Sequence, residues 1–194
     1  MPAWSAGGHE VSESVSLSTA YSLAEAGKKV LFIDADLRKS VLTGRYKISG
    51  EMKGLTHFLS GQGDLSEILC KTNEKGLFVI FAGPVPPNPA ELLGSKKFAA
   101  LLKEARNIYD YIIIDTPPLG SVIDSAIVSA VCDAAILVIS ANTISYKFAR
   151  SVKDQLAKTG CNILGVVLNK VSMKQNKYYG KYYGKYYGHY GSDK

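Results

Sequence analysis

Two observations predict an α/β fold built on a mostly parallel sheet. Short apolar runs recur along the chain, and stretches of helical periodicity separate them. Two of the runs, Val30-Leu31-Phe32-Ile33 and Tyr111-Ile112-Ile113-Ile114, pass directly into an aspartate. A continuous apolar run marks a strand buried on both faces, and the carboxyl ends of such strands are where an open sheet presents ligand-binding residues.

The elements follow in order. Residues 1–13 read as irregular: small residues, a Gly pair, no clear period. A helix is expected from Ser14 to Lys29, with Gly27 near its C-terminal cap. A strand over 30–34 follows, then short helical segments at 54–59 and 65–69 around Gly61-Gln62-Gly63. Leu77 to Ala82 reads as a strand, and Gly83 to Pro89 as a rigid loop, because its prolines fix φ and remove donors. Ala90 to Arg106 has the apolar set of one amphipathic helix, Leu92, Leu93, Phe98, Leu101 and Leu102. The strand at 111–115 is followed by a helix over 125–131, a strand over 134–140, a helix over 146–158 ended by Gly160, and a strand over 163–169. Strands and helices alternating at this spacing are βαβ units.

The division is therefore a folded body, residues 1–173, whose first 16 residues are atypical, and a tail, 174–194. In the tail the unit Lys-Tyr-Tyr-Gly occurs three times and then decays, without apolar periodicity, which predicts a flexible segment.

Composition narrows the function classes. No apolar run reaches the roughly 18–20 residues needed to span a bilayer, and the N-terminus lacks a signal pattern. Cys70, Cys132 and Cys161 are scattered and without CxxC spacing, which argues for reduced thiols in the cytoplasm. The net charge of +6 gathers in the tail, so no nucleic-acid partner is expected of the body. His57 has no His or Cys at metal spacing and reads as structural.

Chemistry concentrates at the two acidic strand ends. Asp34-Ala35-Asp36-Leu37-Arg38 puts two carboxylates one residue apart, on the same side if the chain stays extended. Asp115, followed by Thr116-Pro117-Pro118, ends the second run. If the strands are neighbours, Asp34, Asp36 and Asp115 converge at one edge, and like charges so gathered call for a cation. Mg²⁺ with a nucleotide triphosphate is the natural occupant, since Mg²⁺ takes one or two carboxylates plus waters and neutralises phosphates.

VLFIDADLRKS, FAGPVPPNPAELLGS, YDYIIIDTPPLG, GVVLNKV and the terminal tyrosine cluster together closely resemble the bacterial tyrosine kinases of the cytoplasmic CpsD/CapB type, which regulate capsular and exopolysaccharide synthesis. The resemblance implies a P-loop NTPase-like fold related to MinD and ParA, and an ATP- and Mg²⁺-dependent protein-tyrosine kinase. Asp34 and Asp36 then match the Walker A′ pair and Asp115 the Walker B aspartate. Asp34 would stand near the metal and the substrate hydroxyl, and Asp36 and Asp115 would hold or orient Mg²⁺. Arg38 joins the nucleotide-site set, and Asn169 matches a position facing adenine.

One departure from the family pattern matters. The Walker A loop should carry Gly-x-Gly-Lys-Ser/Thr before the first helix, to cradle phosphates on backbone N–H groups. Here Gly7-Gly8-His9-Glu10-Val11-Ser12-Glu13-Ser14 stands in that place, and no Lys occurs before Lys28. Ser12 falls near the Lys position, with Glu13 and Ser14 near the hydroxyl positions. Losing the Lys removes a charge-assisted contact and the glutamates oppose a triphosphate, so weaker nucleotide binding and impaired transfer are expected. Either the chain is a degenerate relative, or residues 1 to about 16 are a truncated or misread start before an intact kinase body.

Tyr178, Tyr179, Tyr182, Tyr183, Tyr186, Tyr187 and Tyr190 are the expected phosphoacceptors. A kinase reading has the chain phosphorylate its own tail in trans; the alternatives are an impaired phosphoacceptor or scaffold phosphorylated by an intact kinase, and a MinD/ParA-like ATPase switch. The resemblance also implies a membrane-bound activator of the chain-length-determinant type recruiting a cytoplasmic chain to the inner face of the plasma membrane. Self-association into a ring-like oligomer and an opposing phosphotyrosine phosphatase are implied as well.

Overall fold

The computed structural model describes residues 2–5, 9–40, 42, 53–117 and 122–171, with side chains from residue 12 onward and not at 122. In chain order the elements are β1 (Pro2–Ser5), α1 (His9–Glu25), β2 (Val30–Asp34), α2 (Leu55–Leu59), α3 (Leu65–Ile68), β3 (Leu69–Lys71) and β4 (Leu77–Ile80). They continue with α4 (Pro89–Leu93), α5 (Lys96–Arg106), β5 (Tyr111–Asp115), α6 (Val122–Ser129), β6 (Ala134–Ser140), α7 (Tyr146–Ala157) and β7 (Asn162–Asn169).

Seven strands form one sheet in the order β3-β4-β2-β5-β1-β6-β7. Every pairing is parallel except that of β3 with β4. The apolar runs alternate sides as the pleat requires. Val30 and Phe32 pack with Ala20 and Ala24 of α1 on one face. Leu31 and Ile33 pack with Leu93, Phe98, Leu101 and Val128 on the other. α7 extends this second layer over β6, Val152 and Leu156 meeting Ala135 and Leu137.

The structure corrects the expected elements in four places. β1 lies where irregular chain was expected and pairs with both β5 and β6. Its four residues are too few to show a period, and its place is set by the strands on either side. α1 starts at His9 and ends at Glu25, rather than running from Ser14 to Lys29. Its end is a Schellman turn: Gly27 at φ +79° donates to the Ala24 carbonyl and Lys28 to the Leu23 carbonyl. β3, an antiparallel edge strand, carries too little apolar sequence to have been expected. The single helix expected over 90–106 is two, because Ser95 leaves the helical region at φ −71°, ψ 151° and caps α5 by accepting from Phe98 N.

The loop after β4 is pinned by backbone contact. Leu55 N donates to the Phe81 carbonyl and Thr56 N to the Ala82 carbonyl, which brings Gly54 against Gly83. A Cβ on Gly54 would lie 2.6 Å from Gly83 Cα and 2.7 Å from the Phe81 carbonyl oxygen. Backbone cannot swing away as a side chain can. Gly54→Ala should therefore lower unfolding stability by about 2–4 kcal/mol, read from urea denaturation; a change within 0.5 kcal/mol would show that the loop yields.

Candidate active site

The adjacency that the sequence left conditional is present. β2 and β5 are neighbours, and Asp34 and Asp115 are direct register partners at their carboxyl ends. Both are buried, 1% and 5% exposed. Burial without an opposite charge disfavours the ionised form. It pushes the Asp34 carboxyl up to about 7, against a hydrogen bond from Ser40 and one from the Asp36 N–H, with the negative charges of Asp36 and Glu13 adding to the rise. Asp115 lies well above the usual carboxylate range, first from burial and then from the charges of Asp34 and Glu13, against hydroxyl hydrogen bonds.

Each carboxylate has a defined set of neighbours. Asp115 Oδ1 accepts from Ser12 Oγ at 2.6 Å and from Ser16 Oγ at 3.1 Å. Asp34 Oδ2 accepts from Ser40 Oγ at 2.5 Å, and Asp34 Oδ1 from Asp36 N at 3.1 Å. Asp36 lies past the end of β2, in a turn, and its Oδ1 accepts from Arg38 N and Lys39 N at 3.1 and 3.0 Å. Asp36 is therefore not part of the extended strand that carries Asp34, yet the carboxylates remain near one another: the charge of Asp36 raises Asp34, and that of Asp34 raises Asp115. Among the described residues, no three Asp, Glu, His or Cys side chains are gathered so as to enclose a metal ion.

The remaining expected site residues divide. Ser12 is buried on Asp115, whereas Ser14 is exposed on another side of α1. Ser14 lines a shallow groove of about 560 Å³ with Val15, Ser18, Thr19, Ser22 and Leu23, and Asn169 at the end of β7 closes it. Two residues expected near a nucleotide, Ser14 and Asn169, thus meet in one groove. Arg38 turns to α6 and forks onto Asp124, Nε to Oδ2 at 2.5 Å and Nη2 to Oδ1 at 2.9 Å. His57 is structural: Gly54 N donates to its Nδ1 at 3.1 Å. The seven tail tyrosines lie outside the described residues.

Three contributors escaped the sequence reading. Ser16 stands one helical turn after Ser12, a spacing that shares a helix face. Asp124 is a lone acid in an apolar helix, and its 0% exposure marks it as paired. Ser40 had no signal beyond its nearness to Asp34. Glu13, expected only as an adverse charge near the phosphates, is 3% exposed and lies close enough to raise both aspartates.

Comparison with known proteins places this geometry. A family described as an AAA domain matches residues 7–160. Tyrosine-protein kinase CpsD of Streptococcus agalactiae serotype Ia is 48% identical over 163 residues, 84% of this chain and 70% of that protein. The chain belongs to the bacterial tyrosine kinase family. The crystal structure of the VpsO kinase domain is 38% identical, with a TM-score of 0.81 over 88% of this chain and 84% of that one. The cell division ATPase MinD of Pyrococcus furiosus, 23% identical with a TM-score of 0.72 over 91% of this chain and 73% of that one, shares the fold.

In this bacterial tyrosine kinase the donor set at the strand ends suits a hard cation: hydroxyl oxygens and buried carboxyls whose ionised form a cation would favour. It suits a triphosphate less well, because Ser12 and Glu13 bring no positive charge to the start of α1. No helix among the described residues is long and apolar enough to cross a membrane.

The raised aspartates make stability depend on pH. In chelator, Asp34 stays protonated in the folded protein up to about 7, while the unfolded chain releases that proton near 3.8. Between those values the folded state holds more protons, so stability falls as pH rises. The wild-type protein should lose up to about 4 kcal/mol across this window relative to Asp34→Asn, measured by denaturation at stepped pH. Parallel pH profiles would refute the shift.

Proposed function

We propose that the chain is an ATP-dependent protein-tyrosine kinase that phosphorylates its own C-terminal tyrosines and regulates capsular or exopolysaccharide synthesis. The observation that carries this reading is the in-register pairing of Asp34 with Asp115 in a chain 48% identical to a CpsD tyrosine-protein kinase. Mg²⁺, when bound, would supply charge neutralisation to the phosphates, with Asp34, Asp36 and Asp115 as its carboxylate partners. Asp115 keeps its place through Ser12 and Ser16. Asp34 accepts a hydrogen bond from Ser40 Oγ; ionised, its carboxylate would take the proton of a tyrosine hydroxyl as the phenolic oxygen attacks the phosphoryl group. The turn fixed by Asp36 and the Arg38–Asp124 pair hold the acidic edge still. The groove with Ser14 and Asn169 is the place for the base of the nucleotide.

The working environment follows the family: a cytoplasmic chain brought to the inner face of the plasma membrane by an activator of the chain-length-determinant type, self-associating, and reversed by a phosphotyrosine phosphatase. One observation favours a second reading. Glu13 is buried among the catalytic carboxylates and no lysine precedes Lys28, as in a phosphoacceptor or scaffold that another kinase phosphorylates. Incubation of the purified protein with Mg·ATP, followed by phosphotyrosine mass spectrometry, separates the two. Phosphate on the tail, absent from Asp34→Asn, supports the kinase. Phosphate only after addition of an intact kinase supports the scaffold.

A further inference from the structure

Among the described residues the sheet ends in β3 on one side and β7 on the other, and the helical layer over β6 stops short of β7. β7 is the last strand of the order, and its exposed positions are Asn162, Leu164, Val166 and Leu168. Leu164, Val166 and Leu168 are 53%, 56% and 56% exposed. Val166 and Leu168 are the register partners of Leu137 and Ile139, so they lie on the face that α7 covers over β6 and leaves bare over β7. Edge strands are ordinarily blunted by charge, proline or brevity. β7 has eight residues from Asn162 to Asn169, none of them charged and none proline. It reads as a strand that expects a partner.

We infer that β7 is the resting dock of the chain's own tyrosine repeat, which adds to the sheet as an antiparallel strand. The position of the repeat favours it over any other occupant. Residue 172 follows the end of β7 by three positions, and the chain already departs sharply there: Lys170 has φ +56°, with its N–H held by Asn169 Oδ1 at 2.7 Å. Along an extended chain Tyr178, Gly180 and Tyr182 fall on one side, and Lys177, Tyr179 and Lys181 on the other. A connection over 170–176 sets Tyr178, Gly180 and Tyr182 opposite Leu168, Val166 and Leu164. Each ring then meets a branched apolar side chain, the cross-strand pairing that aromatic residues favour, and the glycine leaves room between the rings. A short tether keeps the tail at a millimolar effective concentration, above that of a second copy in dilute solution.

The dock bears on regulation if the tail tyrosines are the phosphoacceptors, and to that extent it rests on the proposed function. Docked, Tyr178 and Tyr182 are withheld from any active site. A phosphate on either would add about −1.5 to −2 charges beside the apolar row and release the strand. The docking itself needs no ATP and is testable alone.

Amide hydrogen exchange on the full-length protein, without nucleotide, should show the β7 amides of residues 163–168 exchanging at least about tenfold faster in Tyr178→Ser/Tyr182→Ser than in the wild type. Val166→Thr/Leu168→Thr, which keeps β propensity at exposed positions, should speed chymotryptic cleavage at the tail tyrosines roughly three- to tenfold. Equal exchange and equal cleavage would overturn the dock. Protection that grows with protein concentration would also overturn it, in favour of pairing between copies. Loss of kinase activity in the Mg·ATP experiment would leave these readouts unchanged, so failure of the dock and failure of the kinase reading are separable.

Discussion

Replacing Ser12 with Lys and Glu13 with Thr together is expected to tighten Mg·ATP binding by about a hundredfold or more. Two electrostatic changes act in one place, the first turns of α1 beside Asp115. Ser12 is buried at 1% exposure and its hydroxyl is spent on Asp115, so it brings no charge to a phosphate. Glu13 is buried at 3% exposure, and its negative charge already raises Asp34 and Asp115. A lysine here adds a charge-assisted contact worth about 1.5–3 kcal/mol. Threonine removes a like charge from the same few ångströms and leaves a hydroxyl where a metal or phosphate can use it. Glu13→Gln alone should lower the Asp34 carboxyl slightly, since burial, the main cause of its rise, remains and only the smallest of the causes is gone. Isothermal titration with Mg·ATP measures the first effect and carboxyl ¹³C titration the second. An affinity unchanged by the double substitution would mean that the start of α1 does not face the triphosphate.

Arg38→Ala should destabilise the protein by about 3–5 kcal/mol and should do so more severely than Asp124→Ala. The two partners are unequally placed: Arg38 is 43% exposed and Asp124 is 0% exposed. Removing the aspartate lets the arginine turn into water, whereas removing the arginine strands a carboxylate inside α6 with its two guanidinium contacts gone. Arg38→Met combined with Asp124→Leu should recover most of the loss, because no charge is then left without a partner. Urea denaturation of the three variants provides the measurement. Equal losses for the two single substitutions would show that water reaches Asp124.

The most legible parts of the sequence were those in which local pattern and tertiary role agree. Val30–Ile33 and Ile112–Ile114 are apolar without interruption because the sheet buries them from both sides, and each ends in an aspartate at the ligand edge. Asp34 and Asp115 could be picked out on that basis, whereas Ser12 was reached by counting to the Walker A lysine position. β1 could not be read: Pro2-Ala3-Trp4-Ser5 becomes a central strand only through its pairing to residues 114–115 and 136–138. Asp36 was read as part of an extended run, but β2 stops at Asp34, and the turn that follows uses the Asp36 carboxylate to hold its own backbone. Arg38 drew notice for its charge near a nucleotide site, but its partner lies 86 residues along the chain, at a separation no local pattern reports.

β1 also dictates an order of events during synthesis. It precedes the other described strands in the chain, yet it is inserted between β5 and β6 and pairs with Ile114 and Ile136. The middle of the sheet therefore stays an open slot until the chain has grown past residue 138, the partner of Ser5. At ribosomal rates of about 5–20 residues per second, growth from Ser5 to residue 138 takes roughly 7–27 s. Within that interval β2 and β4 can pair with each other, and β5 can join β2 once residue 115 is made, but β1 lacks its second neighbour until β6 follows. The β1–β6 pairing, not the Asp34–Asp115 edge, waits on the longest loop closure in the sheet and so falls last.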